Sequence, residues 1–105
     1  MTRNLLLTLA TGAFLVLAGA ATAEISFQGG NGTSITTAVV ILGAAGSPDG
    51  VAAEYQWIAA NRPGAQVLGQ ALAQNGDRLY DVLTIRTGDK VEEVFFDITD
   101  FFGKF

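Results

Sequence analysis

The sequence predicts an α+β domain in which one helix packs on an antiparallel β-meander of three to four strands. Three observations carry that expectation. Asn75-Gly76 and Gly88-Asp89 are hairpin turns set between stretches of alternating apolar residues. Ser47-Pro48 and Pro63-Gly64 bracket a segment of helical character. Residues 35–42, ITTAVVIL, form a β-branched apolar run of strand length.

The chain opens with Met1-Thr2-Arg3-Asn4, an apolar run over residues 5–20, and Ala21-Thr22-Ala23 just before Glu24. A basic start, an apolar core and a small-x-small exit are the parts of a secretory signal peptide. Residues 1–23 are therefore expected to be removed by cleavage between Ala23 and Glu24, with Ala21 and Ala23 as the small side chains the peptidase requires. A spanning helix needs roughly 20 apolar residues, and this run is interrupted by Thr8, Thr11, Gly12 and Gly19. With no cysteine in the chain there is no lipoprotein acceptor. The expected address is the periplasm of a bacterium or the exterior, with membrane contact only through an uncleaved signal segment.

Residues 24–34 contain QGGNGTS and are expected to be a flexible Gly-rich segment, since little apolar surface is available to offset ordering. The lysine of a phosphate-binding loop is missing there. Residues 35–105 form the predicted domain. Its first strand, residues 35–42, is apolar on both sides and reads as buried on both. Gly43 and Gly46 break it, Ser47 suits the N-cap, Pro48 the first helical position and Asp49 the positive helix terminus. The helix is expected to run to about Asn61, with Val51, Tyr55 and Ile58, flanked by Ala59, as its apolar stripe. Trp57 falls on another side, either packed on a second element or exposed.

Residues 65–74 fit a helix or a strand, and the turn signal after them favours the strand. With Asn75-Gly76 as a two-residue loop, Gln74 pairs with Asp77, Leu72 with Leu79 and Leu68 with Leu83. With Gly88-Asp89 as the next loop, Thr87 pairs with Lys90, Leu83 with Val94 and Asp81 with Phe96. One face then collects Leu68, Leu72, Leu79, Leu83, Ile85, Val94, Phe96 and Ile98, which a one-residue slip would scatter. The opposite face carries Val67, Gly69, Ala71, Tyr80, Val82, Thr84, Glu93 and Phe95. Either the tail after Asp100 or another chain covers that face, or Tyr80, Val82 and Phe95 form an interaction patch.

Catalytic chemistry is poorly supplied. The chain has no histidine and no cysteine, so the usual general base, thiol nucleophile and zinc ligands are missing. Glu92 and Glu93 are neighbours in a strand and point to opposite faces. Asp97 and Asp100 flank a bend without the alternating oxygen ligands of a calcium loop. The run VVILGAAGSPDG imitates a nucleotide-binding turn, but Asp49 stands where a third glycine is needed and would repel phosphate. A formal net charge of −4 opposes binding to nucleic acid or anionic lipid. No cofactor and no enzymatic activity are expected.

The second half of the chain resembles a PepSY domain through Arg62-Pro63-Gly64, Leu79-Tyr80-Asp81-Val82, Val94-Phe95-Phe96-Asp97, and Thr99 with Gly103. The resemblance implies a module without a catalytic site, of a kind linked to propeptides of thermolysin-type metallopeptidases and to exported regulatory proteins. The expected function is a non-enzymatic protein-binding or regulatory module, with peptidase inhibition as one form. Recognition would use Tyr80, Val82 and Phe95, or pairing at a strand edge. Two alternatives stand beside it: a carrier holding a small apolar ligand near Tyr55 and Trp57, and a structural subunit of an envelope assembly.

Overall fold

The computed structural model describes residues 24–104. The expected signal peptide, with Ala21 and Ala23 of its cleavage site, lies outside the described residues; Glu24 is exposed at their start. Strands β1 (Ser26–Gly29) and β2 (Val39–Leu42) precede helix α1 (Ser47–Asn61), and β3 (Gln66–Asn75), β4 (Arg78–Thr87) and β5 (Lys90–Asp97) follow it. The strands form one sheet in the order β1-β2-β5-β4-β3. All neighbours are antiparallel except β2 and β5, which run parallel and bring Val39 beside Phe96. The α+β architecture, one helix on a largely antiparallel sheet, is the predicted one, but the sheet is mixed and has five strands where three to four were expected, β1 being the additional one.

The β4–β5 register is the predicted one, with Thr87 opposite Lys90, Leu83 opposite Val94 and Asp81 opposite Phe96. Leu83, Ile85, Val94, Phe96 and Ile98 are buried on the helix side. The β3–β4 register differs by two residues. Gly76 and Asp77 form the loop, Asn75 pairs with Arg78, and Leu72 lies opposite Asp81 instead of Leu79. Gly76, at φ 63°, stands at the first loop position, as Gly88 does at φ 61° in the next hairpin. An irregularity between Val67 and Gly69 then turns Val67 onto the core side and leaves Leu68 exposed. Leu68 leaves the predicted core by this bulge, whereas Leu72 stays on the helix side but is exposed at the sheet edge.

The Gly-rich segment is not a tether over its whole length, because residues 26–29 are a strand and the loop after them is hydrogen bonded. Gly30 N–H donates to Ala38 O at 3.1 Å, and Phe95 N–H donates to Gly32 O at 2.8 Å. Gly32 has φ 83°, and a Cβ there would lie 2.8 Å from Val94 Cγ1. The predicted strand over residues 35–42 begins only at Val39. Upstream, Ser34 N–H donates to Thr37 Oγ1 at 3.0 Å and Thr33 N–H to Asn31 Oδ1 at 3.2 Å. Such local bonds satisfy the backbone in turns and compete with a ladder. Val39 and Ile41 are buried while Val40 and Leu42 are half-buried, so β2 alternates where burial on both sides was expected.

Helix α1 is also rotated from the expected orientation. Its buried side is Gly50, Ala53, Glu54, Trp57 and Ile58, whereas Val51, Tyr55 and Ala59 are exposed. Apolar residues surround this helix, and Ala53 and Trp57 offer a second apolar side next to the expected stripe, sharing Ile58 with it. Trp57 takes the packed alternative: its ring meets Phe96 edge-on at 5.6 Å and 89°. Arg62 lies over the indole at 5.2 Å and pairs with Glu92 at 3.3 Å. At the other end Gly46, not Ser47, is the N-cap, and no side chain caps the helix. Ser47 N–H instead donates to Lys104 O at 3.3 Å, tying the C-terminal turn to the first turn of α1.

Phe101 occupies the space that Gly50 leaves open, and a Cβ on Gly50 would lie 2.2 Å from its ring. Glycine inside a helix costs roughly 0.5–1 kcal/mol relative to alanine, and here that cost is offset by an aromatic ring buried to 2% exposure. Gly50→Ala should therefore destabilise the domain, by about 1–3 kcal/mol of overpacking strain. Ala52→Ser, on the exposed side, should change the urea midpoint little in the same measurement.

Candidate functional site

Between the first half of α1, the outer strand β3 and the C-terminal turn lies a cleft of about 200 Å³. Its rim is apolar and exposed: Val51 from the helix, Leu72 from β3 and Phe102 from the turn. Its floor is acidic. Glu54 and Asp81 are exposed by only 1% and 2%, and Gln70 completes the lining from β3.

The floor is built by ordinary periodicity. Glu54 follows Gly50 by four residues and precedes Ile58 by four, which sets it on the buried side of α1. Asp81 alternates with Leu79 and Leu83 on the helix side of β4. Gln70 pairs with Leu83, one diagonal step from Asp81. Its Nε2 donates to both Asp81 oxygens, at 2.8 and 2.9 Å.

Neither Glu54 oxygen receives a hydrogen bond from the described residues. Burial, then hydrogen bonding to Asp81 and the repulsion of that neighbouring acid, push the Glu54 carboxyl up to about 9. The protonated form resolves the missing donor, since its O–H donates to the Asp81 carboxylate. Glu54 thus holds its proton against the neighbouring Asp81, and among the described residues no Lys or Arg lines the cleft.

Among the sequence-derived site residues, Tyr80 and Val82 lie on the opposite side of the sheet at 6% and 7% exposure, and Phe95 beside them is half-buried. They share a face but offer little surface. Tyr55 and Trp57 do not meet in one site. Tyr55 is exposed beside a second cleft with Arg62, Pro63 and Val67, whereas Trp57 lines neither cleft and is packed on Phe96. Asp97 and Asp100 serve separate structural contacts. Asp97 accepts from Arg78 at 3.0 Å and from Thr99 Oγ1 at 2.7 Å, and Asp100 accepts from Gly43 N–H at 3.1 Å.

The Glu54–Asp81 pair was missed in the sequence reading. One signal for it was present: the β4–β5 register places Asp81 opposite Phe96 on the core side, where an unpaired acid is rare. Among the described residues no three acids come together to hold a metal, and no helix is long and apolar enough to cross a membrane. No family model, curated protein or solved structure matches the chain.

Glu54 gives folding a pH dependence. The folded value of Glu54, about 9, exceeds its ordinary 4.5, so the native state binds one more proton than the unfolded chain between them. That contribution is fully present below pH 4.5 and is lost as pH rises through 9, with a limiting slope of about 1.4 kcal/mol per pH unit. Glu54→Gln keeps the shape and supplies a fixed donor to Asp81. Urea unfolding at pH 8 should show the variant more stable than wild type by about 2–4 kcal/mol, with the slope flattened. A wild-type stability that rises from pH 5 to 8 would contradict the proton on Glu54.

Proposed function

We propose that this protein is a small exported, non-enzymatic module that binds an extended segment of a partner protein along the outer edge of β3. The observation that carries this reading is the character of that strand. β3 is ten residues long, stands at the sheet edge among the described residues, and is exposed at every residue but Val67 and Ala73, which are half-buried. It contains no Asp, Glu, Lys, Arg or Pro, the residues with which edges are ordinarily blunted. The opposite edge strand, β1, is only four residues long. A long neutral edge with free backbone groups is a template for strand addition. The PepSY-like second half and the lack of histidine and cysteine agree with a binding module. The near-burial of Tyr80 and Val82 moves the favoured surface from their patch to the edge.

Peptides selected from a random display library on residues 24–105 test this reading. Bound peptides should slow hydrogen exchange at alternate β3 amides, those that point away from β4. Leu68→Lys combined with Ala73→Lys should weaken binding at least tenfold while leaving the fold intact, because both side chains lie on the edge strand. Protection confined to the Tyr80, Val82 and Phe95 face would overturn the edge in favour of the patch.

A further inference from the structure

We propose that the cleft floored by Glu54 and Asp81 is a subsite for one arginine side chain of the strand that binds at β3. The proposal rests on that edge-binding reading for its partner, and on the cleft for its chemistry.

Size comes first. Small-molecule pockets measure roughly 300–1,000 Å³, and a cleft of about 200 Å³ suits a single long side chain. Position comes second. Gln70 and Leu72 of β3 line the cleft, so it opens on the helix side of the edge that an added strand would extend. Such a strand would sit two interstrand spacings from β4, roughly 9–10 Å, a span that calls for a long side chain to reach Asp81.

Chemistry selects the cation. Val51, Leu72 and Phe102 would pack along an aliphatic stem whose head continues to the floor. At the floor, the Glu54 oxygens have no donor from the described residues, and the Asp81 oxygens already accept from the neutral Gln70 amide. The titratable group facing Glu54 is Asp81 from β4; β3 presents Gln70 and the C-terminal turn presents Phe101 and Phe102. Among the described residues, no Lys or Arg lines the cleft to compete. A guanidinium carries five donors in a planar fork and keeps its charge on desolvation better than an ammonium. Its entry replaces that proton: Glu54 releases H⁺ to solvent, and the two carboxylates accept from the guanidinium. Binding therefore tightens as pH rises, by up to tenfold per unit where Glu54 is protonated in the free protein.

Carboxyl-carbon NMR of Glu54 reads the exchange directly. Saturating methylguanidinium should lower the apparent Glu54 pKa by at least one unit, and methylurea, its uncharged analogue, should leave it unmoved. An unmoved Glu54 with both reagents overturns the subsite, whatever the outcome of the edge-binding test. The peptide arm separates a partner's arginine from a free cation. Among β3-binding peptides, one position should favour Arg over citrulline at least tenfold at pH 8, with release of one proton that Glu54→Gln abolishes. Equal binding of Arg and citrulline at every position overturns the partner assignment while leaving edge binding intact. A methylguanidinium response from a protein that selects no strand overturns the edge reading instead, and assigns the cleft to a free guanidinium.

Discussion

The contact of Trp57 with Phe96 fixes the helix to the central strand, and the other elements are placed from it. Phe96 lies on β5, between β2 and β4, and is fully buried. Its neighbours Val39 and Asp81 carry the parallel and antiparallel ladders outward. Arg62 lies over the indole and reaches Glu92 and the carbonyl of Asn31, so the C-terminal end of α1 is held to β5 and to the loop after β1. Phe101 against Gly50 holds the other end. With both ends of the helix pinned, Glu54 has no freedom to swing out to water and must face Asp81.

That placement sets up a conflict between folding and charge. A domain of this size has a small core, and its stability is the narrow difference between large opposing terms. Burying two acids without a cation works against it, and a proton kept on Glu54 is the least costly resolution available to the side chains present. The result is a site whose protonation responds to whatever enters the cleft. Hydrophobic replacement of the pair would serve stability better, which makes the pair hard to account for by packing alone.

Legibility of the sequence followed how local the deciding interactions were. The β4–β5 hairpin was legible because Gly88 and the alternation on both strands specify the same register. The end of α1 was legible because Pro63 and Gly64 stop a helix by local sterics. The β3 register was not, since the competing loops Asn75-Gly76 and Gly76-Asp77 both supply a glycine, and the bulge at Leu68 leaves no mark in an apolar stretch. The N-cap lies one residue before the expected one, and the Ser47 N–H it leaves in the first turn finds its acceptor far along the chain, at Lys104. The helix face depended on Phe101, far along the chain, filling the gap at Gly50. Of the candidate site, Asp81 could be placed from register, but Glu54 could not be joined to it until the rotation of α1 was known.

The edge and the cleft make most sense as parts of one recognition surface. Backbone pairing along β3 supplies affinity that is nearly indifferent to sequence, because every residue but proline offers the same donor and acceptor. A neutral edge of that kind would pair with many extended chains, including copies of itself. Selectivity has to come from side chains, and on the helix side of β3 Gln70 and Leu72 border a cleft whose floor carries acid with no cation lining it among the described residues. A neutral residue there would leave the Glu54 proton in place and gain only rim contacts. An arginine gains the carboxylates as well, and the chain's net negative charge favours approach of a basic segment over an acidic one. An unblunted strand and a buried acid pair are each liabilities when considered alone; side by side, each supplies what the other lacks.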